Sequence, residues 1–386
     1  DGTAAGSTAA GGSIALAFVT PTTHAYIEGS VSTPVTHPTS IDVTATSQTD
    51  VATTAKSTTQ GSSQNDAGTQ GQLGSVDAKS SQGESGVSVA GAFALTDLTA
   101  NNLAHAASSG TIVTGGTLHV HAYNDTDSSA TADASFTGED APATGVGVAV
   151  AANVPTIHNE AHLSGPVTGN GIEVDAQMNA ADVDGKNTLA AKSTSGASGS
   201  SVGAAGSFAM NLVDSNASAS LQSGGTINAS GGNVLVQSDN VSDESAEAAA
   251  KASGGTSVGV GASVALNIAL NNVSEARVED GTAMSNLNNL TLTAGSDHTV
   301  ATTTDAGSTG GTSVTPSVAV TYTDNETTAS LGTGALLTVA GALTATATGK
   351  SSVSSEAKAD AEADKVAVGA SIGVTVANDT ATATTG

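Results

Sequence analysis

The stretch Ser257-Val-Gly-Val-Gly-Ala-Ser-Val-Ala-Leu-Asn267 decides how the chain is read. Val258, Val260, Ala262, Val264 and Leu266 alternate with small residues, which is the two-residue period of a β-strand. Related stretches surround Ile14, Val87, Val146, Val202, Val314 and Val366, so this strand belongs to an internal repeat. Asparagines at Asn102, Asn159, Asn216, Asn272, Asn325 and Asn378 keep a similar pitch, with spacings of 57, 57, 56, 53 and 53 residues. One such unit cannot bury its own apolar face and must stack on its neighbours.

The rest of the repeat follows from the same alternation. After each Val-rich strand comes turn chemistry, as in Val154-Pro-Thr156, Val213-Asp-Ser215 and Asp324-Asn325. A second strand carries the asparagine, and a third resembles Leu290-Thr-Leu-Thr-Ala294. A fourth is alanine-rich, as in Ala357, Ala359, Ala361 and Ala363. The runs 244–252 and 356–364 have helical composition. Their alanines fall on alternate positions, however, and both are expected to be strands. A Ser/Gln/Gly-rich insert over residues 58–81 reads as a loop leaving one face.

The expected fold is all-β. It is a right-handed parallel β-solenoid of about six and a half repeats of 53–58 residues, with stacked antiparallel hairpins as the alternative. The units run over residues 1–82, 83–142, 143–198, 199–254, 255–310, 311–362 and a partial 363–386, as one array without caps. A repeat is either one large coil or two smaller ones, giving a rod of roughly 30 or 60 Å. With no Cys or Trp, four Phe and 46 Gly, the core must be thin, its sheets close together over small side chains. The Ala and Gly faces are expected to permit lateral packing between rods. The chain opens Asp-Gly-Thr and no targeting signal is visible, and the uncapped array is expected either to continue in a longer protein or to meet other subunits at its ends.

Nine Lys plus Arg against 35 Asp plus Glu leave a formal charge of −26. Nucleic acid is thereby excluded as a partner, since phosphate binding needs neutralising cations. No segment approaches the length of a membrane helix, so membrane insertion is not expected. Catalysis has little support: Arg277 is the sole arginine, and no nucleophile–base pair or phosphate loop is visible. The chain is therefore expected not to be an enzyme and to need no cofactor.

Three groups of polar residues remain. The six asparagines are read as a structural ladder, passing amide hydrogen bonds between coils. Acidic clusters, Asp239, Asp243 and Glu244 with Glu356 and Asp360, are candidates for loosely bound calcium. His105 and His162 occupy equivalent places, and His119 and His121 share a strand face. Without further ligands they read as surface histidines, and no dedicated metal site is assigned. Among the Asn-x-Ser/Thr sequons, Asn124 is expected in a turn and open to glycosylation.

The Val-Gly-Val-Gly-Ala-Ser-Val-Ala-Leu-Asn strand, the later asparagine, the Gly turn and the Leu-Thr-Leu-Thr-Ala strand resemble repeats of giant bacterial surface proteins. They are similar to leukotoxin-type filamentous adhesins. That resemblance implies an extracellular, elongated β-structure used for attachment or as a fibre. The expected function is a structural extracellular filament that self-assembles through stacked coils and strand edges. The alternative is an adhesin stalk. The expected partner is the chain itself, with cell-surface or polysaccharide contacts also compatible.

Overall fold

The computed structural model describes residues 8–34, 39–58, 76–79, 86–106, 109–135, 142–178 and 184–385. All its elements are strands, and the long ones pair in parallel, which excludes stacked antiparallel hairpins. The chain is a β-solenoid. A typical coil has a long leading strand, a short bridging strand and a long trailing strand, and in Leu290–Leu331 and Leu343–Thr384 the trailing strand runs on unbroken into the next leading one. Val87–Ala106, Ile112–Val113 and Leu118–Ala134 make one such coil, and Thr144–Leu163 begins the next. Val87 lies beside Thr144 and Leu118 beside Ile172, so one repeat is one coil. At a rise of about 4.8 Å per coil, the stack is about 30 Å deep.

Four strands per repeat were expected, but most coils merge them into two long ones. Val234–Ser253 joins the third and fourth, including the alanine-rich run, as an unbroken strand. Val202–Leu221 joins the first and second. The anticipated turns are irregularities within strands. Pairing shifts register between Val213 and Asp214, and again between Ala269 and Asn272. Pairing between Val202–Leu221 and Thr144–Leu163 also skips Val154 and Pro155, where proline has no N–H to give. Coils above and below satisfy the backbone along the whole strand, so local turn chemistry only offsets the ladder. In the insert, Val76–Lys79 pairs with Ala55–Thr58, and its remainder lies outside the described residues.

Side-chain size divides the coil into a wide and a narrow half. The leading and trailing faces belong to one 14-stranded sheet joined through Leu290–Leu331, and with the six-stranded bridging sheet they enclose a core of Ile112, Leu118, Leu163, Ile172, Leu221 and Leu290 with their neighbours. In the other half, leading and trailing strands close directly on one another over alanine, as in Ala92, Ala94, Ala130, Ala132, Ala149 and Ala151. Serine and threonine hydroxyls share that narrow interior, such as Ser193 with Ser207 at 2.5 Å and Ser317 with Thr304 at 2.7 Å.

The large residues of the Val-rich strands point out. In Val258–Val278, burial alternates so that Gly259, Gly261, Ser263 and Ala265 face in, while Val258, Val260 and Val264 face out. Stacking repeats this in every coil: Phe93, Val150, Phe208, Val264, Val318 and Ile372 form one outward column. Even with neighbouring coils on both sides, Val148 keeps 46 % of its surface exposed. The outer face of the leading sheet is thus an apolar wall, in place of the expected Ala and Gly faces.

Gly203 and Gly206 lie three residues apart on one leading strand and face opposite ways. A Cβ on Gly203 would overlap the carbonyl oxygen of Ser253 on the trailing strand, whereas one on Gly206 would meet nothing within 4 Å. Gly203→Ala is therefore expected to cost about 1–3 kcal/mol, and Gly206→Ala to be close to neutral. Urea unfolding of the two variants checks this.

Candidate functional site

The narrow interior holds an amide ladder different from the expected one. Thr96, Asn153, Asn211, Asn267 and Thr321 lie in register on successive coils. Each is fully buried. Asn153 donates to Asn211 Oδ1 at 3.0 Å, and Asn211 donates to Asn267 Oδ1 at 3.2 Å. Each residue also reaches a carbonyl of the trailing strand: Thr96 to Ser129 (2.7 Å), Asn153 to Ser128 (3.2 Å), Asn211 to Leu189 (3.1 Å), Asn267 to Glu244 (3.0 Å) and Thr321 to Ser354 (3.0 Å). The ladder therefore ties coil to coil and sheet to sheet.

Of the six expected asparagines, Asn102 and Asn159 form a true rung at 2.9 Å. Asn216 pairs with His158 and Val273, one place out of step, and its side chain falls on the outward set. Asn272 and Asn325 are in register, but Asn272 donates to Glu244 Oε1 at 2.9 Å and Asn325 to Asp379 Oδ1 at 2.5 Å. Asn378 is exposed and donates to Asp324 Oδ1 at 3.0 Å. The six therefore do not form one ladder. The second half of the Thr144–Leu163 strand is offset from its neighbour by 58 residues, against a spacing of 57 in sequence. In a strand, one residue of slip sends a side chain to the other face.

Asn124 also differs from expectation. It is buried in Leu118–Ala134, donates to Asn187 Oδ1 at 3.1 Å and accepts from Thr126. That burial leaves a glycosyltransferase no access.

The calcium candidates do not converge. Asp239 and Asp243 face out from Val234–Ser253, and Asp243 is ion-paired with Lys186. Glu244 faces in and is buried, while Glu356 pairs with Lys358 at 2.7 Å. Asp360 lies beside Gly307, two coils beyond Val234–Ser253. Adjacent positions on a strand face opposite ways, so a run of acids in sequence is split between two surfaces.

The buried acid has its own chemistry. Burial raises the Glu244 carboxyl from 4.5 to about 6, against the hydrogen bonds from Ser242 and Asn272. His298, bonded to Ser242 at 2.8 Å, is lowered from 6.5 to about 4, again chiefly by burial. Burial also raises Asp239 to about 6, with the Asp297 charge adding to it.

On the outer face of the trailing sheet, the described residues include one cluster with metal-ligand character: His119, His121 and Glu173, with one donor atom each within 4.8 Å of the others. Their coils bring the groups together, because His119 pairs in register with Glu173 and His121 with Asp175. The two imidazoles stack at 5.2 Å, and Tyr123 continues the stack at 5.4 Å. His119 Nδ1 lies 2.9 Å from Glu173 Oε2, and His121 Nδ1 lies 3.1 Å from Asp175 Oδ2. Burial pushes the His121 ring down, but the Asp175 hydrogen bond and the charges of Asp175, Glu173 and Asp42 outweigh it and leave the ring raised. Sequence spacing showed the shared face of the two histidines. The acids, more than 50 residues away, were legible only once the coil length was known.

His105 and His162 also share a register position, and His162 contacts Glu160 at 3.0 Å and Ser220 at 2.8 Å. No protein-family model, no curated protein and no solved structure matches the chain.

Two outcomes are expected. Asn211→Ala strands the amides of Asn153 and Asn267 and should cost roughly 2–4 kcal/mol, whereas Asn216→Ala should stay within about 0.5 kcal/mol; thermal unfolding separates them. For Glu244 the folded value lies above the unfolded one, so its contribution is favourable below 4.5 and is lost as pH rises through about 6. His298 acts oppositely, contributing above 6.5 and losing that contribution as pH falls through about 4. Glu244→Gln should therefore gain about 2 kcal/mol relative to wild type between pH 4 and pH 7, read from urea titrations at both pH values.

Proposed function

We propose that the chain is a structural segment of an extracellular fibre and associates laterally with further copies of itself through the apolar wall. The wall is the observation that carries this reading. Over residues 87–95, 144–152, 202–210, 258–266, 312–320 and 366–374, the outward positions hold no ionisable side chain. Nine residues along the strand and six coils across it, each at its full width, give a footprint on the order of 800 Å². That matches the roughly 800 Å² per partner of a stable protein–protein interface. Apolar patches of this size are uncommon on chains that work alone.

A second copy fits the wall better than a bilayer does. Sheets pack face to face at about 10 Å with interdigitating side chains, and Val, Phe and Leu columns supply both surfaces. A net charge of −26 opposes approach to anionic lipid. The acids lie mainly on the trailing sheet, away from the wall, where they keep paired copies soluble. Uniform parallel stacking from coil to coil supports axial growth by the same strand pairing. The resemblance of the repeat to those of filamentous adhesins points to the same role.

Phe208→Asp with Val264→Asp should abolish association while leaving circular dichroism and the unfolding midpoint nearly unchanged. In sedimentation velocity, wild type is expected as dimers or larger assemblies and the variant as a monomer. A monomeric wild type would overturn the proposal and favour a stalk. Flotation of wild type, but not the variant, with phosphatidylcholine vesicles would overturn it in favour of lipid.

A further inference from the structure

We infer that His119, His121 and Glu173 bind one first-row divalent transition-metal ion on the outer face of the trailing sheet, with Asp175 positioning His121. The site lies on the side of the coil opposite the apolar wall and does not depend on assembly.

The argument starts from the two-residue spacing, which puts both imidazoles on one face. The next coil then sets a carboxylate beside each ring. An imidazole nitrogen 2.9 Å from a carboxylate oxygen, as in His119 with Glu173, already has the separation of two adjacent ligands. Metal–ligand bonds of about 2.0–2.2 Å set such ligand atoms roughly 3 Å apart. A metal ion there replaces the proton that the pair shares.

His121 supplies the second nitrogen. Its Nδ1 is occupied by Asp175 at 3.1 Å and Tyr123 at 3.0 Å, which leaves Nε2 as the nitrogen that no described hydrogen bond claims. A carboxylate on one imidazole nitrogen that fixes the tautomer and frees the other is the usual support of a metal-bound histidine. Asp175 is well placed for this, because its side chain is only 6 % exposed and its Oδ1 has no partner.

Charge gives an independent reason. Elsewhere on this face, acids take lysine partners from the neighbouring coil: Glu247 with Lys192, Asp305 with Lys251 and Asp297 with Lys350. Among the described residues, Asp42, Glu173 and Asp175 have no lysine or arginine ion pair; their ion-pair partners are the two histidines. Two imidazoles that are neutral when they bind metal leave three carboxylates uncompensated, and a divalent cation offsets most of that charge. An imidazole-rich donor set selects zinc, copper or nickel over calcium or magnesium.

The test is isothermal titration calorimetry of the metal-free chain with zinc chloride, and with calcium chloride as the comparison. One saturable zinc site per chain is expected, with no calcium site competing for it. His119→Ala with His121→Ala, and separately Glu173→Gln, should weaken zinc binding at least tenfold. His105→Ala should leave it unchanged. Glu173→Gln preserves side-chain shape, so its circular dichroism should match wild type and keep the readout independent of folding. Absence of saturable zinc uptake, or uptake equal in wild type and the three substituted positions, would overturn the inference.

Discussion

The closeness of two sheets governs this molecule. In the narrow half of each coil, leading and trailing strands approach until a Cβ on Gly203 or Gly261 would overlap a carbonyl oxygen across the gap. At those closest approaches only glycine, alanine and small hydroxyl residues fit. Large side chains on the same strands therefore have one place to go, and they go outside. The apolar wall follows from packing volume, because burying those valines would have forced the sheets apart.

A thin interior has a second consequence. Alanine buries little apolar area per residue, so hydrogen bonds inside must supply alignment that bulk packing supplies elsewhere. Asn153, Asn211 and Asn267 do this by bonding along the stack and across it. Glu244 and His298 sit in the same interior, where burial shifts each towards its uncharged form. At the wide end, Leu118, Ile172 and Leu290 do the ordinary work of an apolar core.

Much of the architecture was legible in the repeat. Alternation identified the strands, including the alanine-rich runs that resemble helix, and the pitch identified stacking. The internal ladder left a mark in the repeat, since Asn153, Asn211 and Asn267 each end the Val-rich stretch, but nothing in that mark says that they meet. The later asparagines return in six coils at near-regular spacing and so carry the stronger signal in the sequence. Their evenness misleads, because coil length changes at the bulges and a single residue of slip turns Asn216 outward.

The sequence by itself determined an all-β stack of repeats, a small-residue interior and a strongly acidic surface, since these depend on local period and composition. Only the tertiary structure decided which face of each strand points in, which asparagines meet, and that His119 and His121 stand beside Glu173 and Asp175. The reason is that contacts between coils depend on the length of every intervening turn and bulge. Those lengths set register, and register is a property of the stacked coils that no single repeat contains.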